Sequence, residues 1–466
     1  MLSNRLARIH SRLLTYLGIT SYHISMSTKK VPKLALFPLT AKVNKQGHLI
    51  IGGCDVVDLA EEFGTPLYLF DELTLRHQCR EFKEEFGKYH PDTLVIYASK
   101  AVLNRALALI FKEEGLGLDV VSGGELSIAH SVDFPLDEVY FHGNNKTPEE
   151  LNLALDLGVG RIVVDNFYEL GLLNRLAGEK GINQDILLRL TPGVDPHTHQ
   201  YTTTGTIESK FGFPIDTGQA EEAVNQALSA SNLNLSGFHF HLGSPVSEVQ
   251  PYELAMELVL GFAQGVSQKF GFSLSEFDIG GGFGVLYTLD SRVPTIAEYA
   301  KSVIGKLNSL ILGLGLSRPR LIIEPGRAIV GQAGVALYKV GAIKEIPGIK
   351  KYVCVDGGIS DNIRPALYGA KYEALVANKA LKAERDVVTI AGKLCEAGDI
   401  LVKDINLASV HSGDIIAIPV CGAYSIPMAS NYNAMPRPAI VMVKEGRARL
   451  IRRQETYQGM MNLDLI

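Results

Sequence analysis

Between Leu94 and Glu324 the chain repeats one unit eight times: a short apolar run rich in β-formers, a polar or Gly-rich turn, then a helical pattern. The runs are Leu94–Ser99, Leu118–Ser122, Val139–His142, Arg161–Asp165, Ile186–Leu190, Leu235–His241, Phe277–Gly280 and Leu321–Glu324. Near-continuous apolarity, rather than alternation, predicts strands buried on both faces, as in a parallel sheet covered by helices. Ala106, Leu107, Ile110 and Phe111 carry the spacing of one such covering helix. Eight units over about 230 residues fit an α/β fold of the (β/α)8 TIM-barrel type. A doubly wound open sheet has the same alternation, and counting leaves it open.

Beyond Arg327 the texture changes. Val330–Lys344, Tyr352–Val355, Asp386–Ala391, Ile415–Val420 and Ala439–Lys444 read as strands with few long helices between them, which predicts a C-terminal β-domain. Leu34–Ile51 reads as strand-turn-strand, and Asp55–Phe63 as a helix. The expected organisation is therefore an extension over 1–25, strands joining the β-domain over 26–62, the barrel over 63–328 and the β-domain over 329–466.

The 466 residues are 46% hydrophobic with a net charge of −5, enough apolar material for a large and a smaller domain and no basic footprint for nucleic acid or an anionic membrane. No run reaches the roughly 18 apolar residues of a membrane span. Cys54, Cys79, Cys354, Cys395 and Cys421 are odd in number and scattered, so a reducing compartment, the cytoplasm, is expected. From Met1 to Cys54 there is no Asp or Glu, and Arg5, Arg8 and Arg12 stud a stretch that resembles an organellar transit peptide. With no clear cleavage site and an ordinary start at Met26, it is read as an extension; an organellar location is the alternative.

In a barrel of this kind the chemistry belongs at the C-terminal ends of the strands. Those ends carry Lys100, Ser122 through Glu125, His142 with Asn144 and Asn145, Asp165 with Asn166, Arg189, His241 with Gly243 and Ser244, Gly280 through Gly284, and Glu324 through Arg327. Lys100, at the buried mouth of the first strand, is expected to lose its charge by desolvation and act as an amine nucleophile toward an aldehyde. Taken alone, a strand-end lysine is more often one that snorkels to solvent. Gly280, Gly281 and Gly282 offer backbone N–H groups to a phosphate. Glu324 needs a cationic partner, which a protonated pyridine nitrogen or neighbouring Arg327 could supply. His241 could stack on a flat ring or be merely hydrogen-bonded, and Ser244 could bind phosphate or cap a helix.

The segments YASK, DVVSGGEL, HFHLGS, GGGFG and EPGR resemble the barrel motifs of the alanine-racemase-like, fold type III pyridoxal phosphate (PLP) decarboxylases. Arg364-Pro-Ala-Leu-Tyr368-Gly, Gly392-Lys-Leu-Cys395-Glu396, Gly422-Ala-Tyr424 and Ser430–Asn433 follow in order and resemble the diaminopimelate decarboxylase family, from about residue 30 to 460. That resemblance implies a PLP cofactor on Lys100, stacked on His241. Its phosphate would be held by Gly243, Ser244 and Gly280–Gly282, its ring nitrogen paired with Glu324, and Gly326, Arg327 and Tyr424 would lie against it. It implies that Arg327, Arg364 and Tyr368 bind the non-reacting carboxylate of meso-diaminopimelate, with Tyr424 nearby, that Glu396 binds its ammonium group, and that Cys395 is the proton donor. It further implies a homodimer whose partner supplies Cys395 and Glu396. Two arginines and a tyrosine suit a carboxylate, and Arg364 argues against the basic substrates of an ornithine- or arginine-type decarboxylase. A non-catalytic relative would be expected to lack some of these groups. The family often has Asn two residues after the lysine, where this chain has Val102.

Overall fold

The computed structural model describes residues 31–195 and 203–466; the extension and its transit-like arginines lie outside them. Eight parallel strands, Thr93–Ala98, Gly117–Val120, Val139–Phe141, Arg161–Val164, Gln184–Thr191, Leu233–His239, Glu276–Asp278 and Arg320–Ile323, pair in chain order. The last returns to the first through the register Leu321↔Thr93, Ile322↔Leu94 and Ile323↔Val95. That pairing closes the sheet, so the fold is a barrel and not the open doubly wound sheet.

The near-continuous runs have the expected consequence. Leu94, Ile96, Tyr140, Val163, Leu187 and Ile322 form a separate inner cluster, while the intervening Val95, Tyr97, Phe141, Ile162, Val164, Ile186 and Leu188 face the helical layer, the period-2 alternation of a strand. Tyr97 stacks on Phe111 of the helix Arg105–Glu113, with ring centroids 3.8 Å apart. At the opposite end of the barrel from the strand termini, Arg161 Nη2 meets Glu276 Oε1 at 2.7 Å, and Tyr140 Oη donates to Glu276 Oε2 at 3.1 Å.

Several polar strand ends serve helix starts rather than chemistry. Ser122 caps Gly123–His130 by accepting from the Glu125 N–H, and Asn166 caps Phe167–Lys180 by accepting from the Glu169 N–H. These side chains satisfy backbone donors that a helix N-terminus leaves unpaired. Lys146, behind Asn144 and Asn145, is buried against Glu169 at 2.7 Å and donates to the carbonyls of Gly143 and Val163.

The second sheet is built around the 13-residue strand Gly334–Ile346, which pairs with Lys350–Val355, Ile415–Ile418 and Leu67–Asp71. Leu67–Asp71 in turn pairs in parallel with Ala439–Lys444. A strand inside the segment assigned from sequence to the barrel thus belongs to the β-domain sheet. Buried along its whole length, it has the same near-continuous apolar texture as a barrel strand, broken only at Asp71. Lys42–Val43, Leu49–Ile51 and Cys54–Asp55 form a separate three-stranded sheet. It does not extend the large one but shares a core with it, through Leu49, Ile51, Leu69, Leu337 and Val441. Helix Val56–Phe63, capped by Asp55, follows. Two further strands, Ile400–Leu407 and Arg447–Arg452, were absent from the sequence reading. Both lie at sheet ends and are partly exposed, so charged residues interrupt the apolar signal.

Candidate active site

Lys100 sits in the single turn Ser99–Ala101 that ends the first barrel strand. Its Nζ donates to Asp119 Oδ2 at 3.2 Å, from the neighbouring strand. Burial alone would depress the ammonium, but Asp119, Glu324 and Tyr424 outweigh it and hold Lys100 above the ordinary lysine range. The expected direction was therefore wrong: the site desolvates the lysine and surrounds it with negative charge as well. Asp119, fully buried, opens the segment DVVSGGEL but was not among the residues predicted for the site, because nothing local in sequence shows that a strand-internal Asp faces a lysine on the neighbouring strand. Nearby, Glu125 accepts from the Val121 N–H at 2.7 Å, and burial pushes its carboxyl up to about 7.

Glu324 leaves the last strand and points into the barrel, where Oε1 lies 2.8 Å from His142 Nε2 and 3.6 Å from His239 Nε2. Burial pushes this carboxyl up, yet the two imidazoles prevail and hold it well below the usual carboxylate range. Asp278, beside it, is pushed far up by burial and by the Glu324 charge, and accepts from the Gly280 N–H at 2.8 Å. Glu324 Oε1 is buried with no aligned hydrogen bond, its approach to His142 lying off a donor axis. A buried carboxylate is costly without cationic or N–H partners, and a protonated ring nitrogen in the cavity would add one to the two imidazoles. Among the described residues no ion pair joins Glu324 to Arg327, so the barrel-closing pair of the sequence reading does not form.

His241 accepts from the Gly281 N–H through Nδ1 at 3.2 Å. Burial and the Lys100 charge push its pKa well down, so the ring is neutral. The glycine loop is required first by packing. A Cβ on Gly281 would stand 2.1 Å from the Glu324 carbonyl oxygen, and one on Gly282 (φ +102°) 2.4 Å from that of Gly243. Ser244 caps no helix; its Oγ accepts from Arg327 Nε at 3.2 Å. Gly326 lies against Ala98, and the Tyr424 N–H donates to the Ala101 carbonyl at 2.8 Å, tying the β-domain to the lysine turn.

Above these groups opens a cavity of about 410 Å3 lined by His241, Ser244, Tyr287, Arg327, Arg364, Tyr368 and Tyr424. The fold therefore brings together residues predicted from both domains. Arg327 and Arg364 are buried, at 6% and 5% exposure. Among the described residues no ion pair joins either to a carboxylate. Tyr287 Oη instead accepts from Arg327 Nη1 at 2.6 Å and from Arg364 Nη1 at 3.0 Å, and Arg364 also meets the Tyr372 hydroxyl. Neither tyrosine was singled out from sequence; Tyr287 follows GGGFG by three residues, which was the available signal. Cys395 and Glu396 are exposed in the turn after Asp386–Ala391 and do not line this cavity. The Cys395 N–H donates to Asn433 Oδ1 at 3.1 Å.

Lysine at the end of the first strand, a buried glutamate set against two imidazoles after the last, a neutral histidine and a glycine loop on one barrel mouth, closed by a β-domain, define an alanine-racemase-like PLP enzyme. Residues 73–331 match the family described as pyridoxal-dependent decarboxylase, pyridoxal binding domain. The chain is 46% identical to the diaminopimelate decarboxylase of Bacillus subtilis (strain 168) over 91% of its length and 97% of that protein. It is 43% identical to that of Synechocystis sp. over 93% and 94%. The crystal structure of diaminopimelate decarboxylase from M. jannaschii in complex with L-lysine superposes with a TM-score of 0.86 at 36% identity, covering 92% of this chain and 98% of that one. This chain belongs to the diaminopimelate decarboxylase family.

Proposed function

We infer that the chain removes CO2 from the D-centre of meso-2,6-diaminopimelate to give L-lysine, the last step of bacterial and plant-type lysine biosynthesis, with PLP as cofactor. The observation that carries the substrate is the pair of buried guanidiniums without an acid partner at one side of the cavity, beside the lysine and Glu324 that suit the cofactor. Two unneutralised buried cations are unfavourable until an anion arrives, and a distal carboxylate meets them with bidentate geometry. A substrate ending only in an amine would be repelled.

PLP, when bound, supplies an electron sink for the pair of electrons released as CO2 leaves. The residues of the chain do the remaining work. Lys100 anchors the cofactor through its amine. Glu324, its pKa held low by His142 and His239, would pair with the cofactor's ring nitrogen and keep it protonated. Neutral His241 would offer the cofactor ring a flat face without adding charge, and Gly243, Ser244, the Gly280–Gly282 loop and Gly326 would hold its phosphate end. Arg327, Arg364 and Tyr368 fix the distal carboxylate, so the other end of the substrate lies toward Lys100, while Tyr424 packs on the Arg327 guanidinium with 4.8 Å between its centre and the ring. A second copy of the chain supplies Cys395 as donor of the proton that replaces CO2, and Glu396 as partner of the distal ammonium. These two residues lie outside this chain's own cavity, and a homodimer with shared sites would complete it. Among the described residues no helix is long and apolar enough to cross a membrane, and the cysteine pattern favours the cytoplasm.

Incubation of the PLP-loaded protein with meso-diaminopimelate should yield L-lysine and CO2. Lys100→Ala should lose both the product and the absorbance of lysine-bound cofactor. Turnover of ornithine or arginine in preference to diaminopimelate would refute the assignment.

A further inference from the structure

Arg327 and Arg364 come from different domains, one after the last barrel strand and one in the short helix Arg364–Tyr368. Nothing in either element obliges two like charges to lie close together, and buried guanidiniums repel strongly. The hydroxyl of Tyr287 is common to both, accepting from Arg327 at 2.6 Å and Arg364 at 3.0 Å. Its ring is fixed edge-to-face on Tyr372, with centroids 5.3 Å apart, and both guanidiniums lie over it, at 5.8 Å and 4.9 Å. Ser244 and Tyr424 hold Arg327 from its other side, and Tyr372 holds Arg364. The phenol oxygen accepts from both guanidiniums, and its O–H donor remains for an incoming carboxylate.

We propose that Tyr287 is a positioning residue that bridges Arg327 and Arg364 into a single carboxylate receptor, and so selects substrates with a distal carboxylate over diamines. This rests on the reading above that the arginine pair takes the distal carboxylate. The two guanidiniums draw the phenol's pKa down against the upward push of burial, as expected for an oxygen serving two cations. Tyr287 touches no reacting bond, so its contribution is to binding, shared by ground and transition states.

The test uses the PLP-loaded Tyr287→Phe enzyme with meso-diaminopimelate as substrate and two inhibitors, L-lysine, which keeps the distal carboxylate, and cadaverine, which has the same carbon chain and amines without it. Expected are a rise in KM and in the L-lysine inhibition constant of roughly 10- to 100-fold, the range for hydrogen bonds to charged groups, with kcat and cadaverine inhibition nearly unchanged. A merely structural role would move kcat, cadaverine and the cofactor absorbance together, and that result, or unchanged L-lysine inhibition, would overturn the proposal. Tyr372→Phe frees Arg364 alone and should weaken L-lysine less; an equal or larger loss would place the effect on Arg364 and equally refute the bridge. Cadaverine inhibiting the wild-type enzyme as strongly as L-lysine would instead defeat the underlying carboxylate reading, a failure visible before any variant is made.

Discussion

Replacing Asp119 with Asn removes the carboxylate that stands 3.2 Å from Lys100 Nζ while keeping its shape in a fully buried position. At that separation the Coulomb attraction runs from ~1 kcal/mol in a water-like dielectric to ~5 kcal/mol at an effective dielectric near 20. The Lys100 side chain keeps 35% of its surface open to the cavity, so water screens the pair and the lower part of that span applies. The usual ~1.5–3 kcal/mol for a charged hydrogen bond falls there and corresponds to ~1–2 pKa units. Asp119 raises the lysine's pKa, so its loss lowers it. The neutral amine, the form that condenses with an aldehyde, then becomes available at lower pH. Apoprotein stripped of cofactor and remixed with PLP over a pH series reports this directly, through the rate at which the absorbance of lysine-bound cofactor grows. In Asp119→Asn the rising limb should move ~1–2 pH units toward acid relative to wild type. A midpoint that stays in place, or moves toward alkali, would refute the claim that Asp119 governs the charge on Lys100.

Three further outcomes test other parts of the molecule. Leu187→Ala, in the inner cluster of the barrel, should cost ~2–5 kcal/mol in denaturant unfolding, with a lowered midpoint in the loaded protein. Gly282→Ala forces a side chain onto a φ of +102° with its Cβ 2.4 Å from a carbonyl oxygen; ~1–3 kcal/mol of backbone strain should appear as weaker cofactor retention on dialysis. Mixing subunits of inactive Lys100→Ala and inactive Cys395→Ser should restore activity, because one mixed site then holds both intact residues; no recovery after subunit exchange would argue against a shared site.

How much was legible beforehand depended on whether a property is local in sequence. The eight strand–helix units followed from the burial of strands on both faces, which leaves near-continuous apolar runs in either a barrel or an open sheet; only the pairing of the last strand with the first chose the barrel. The order of the strand ends then placed Lys100, His241, the glycine loop and Glu324 on one rim. Leu67–Asp71 shows the limit of that reasoning: its texture is that of a barrel strand, and only pairing with Gly334–Ile346 and Ala439–Lys444 assigns it to the other sheet. Ser122 and Asn166, polar at strand ends like the reactive groups, proved to be caps, since an N-cap and a ligand contact use the same side chains.

The sequence by itself determined the eight strand–helix units, the lysine at the end of the first strand and the two arginines, because each is written in residue type and spacing; closure into a barrel was decided by the pairing of the last strand with the first. The tertiary structure decided the charges and the company those residues keep. Lys100 reads as a desolvated amine until Asp119 and Glu324 are placed beside it, and Glu324 reads as a carboxylate awaiting a pyridine nitrogen or Arg327 until His142 and His239 surround it. Arg327 and Arg364 are distant in the chain until Tyr287 joins them. Electrostatic state depends on distances between groups far apart in sequence and on the water between them, and neither exists until the chain has folded.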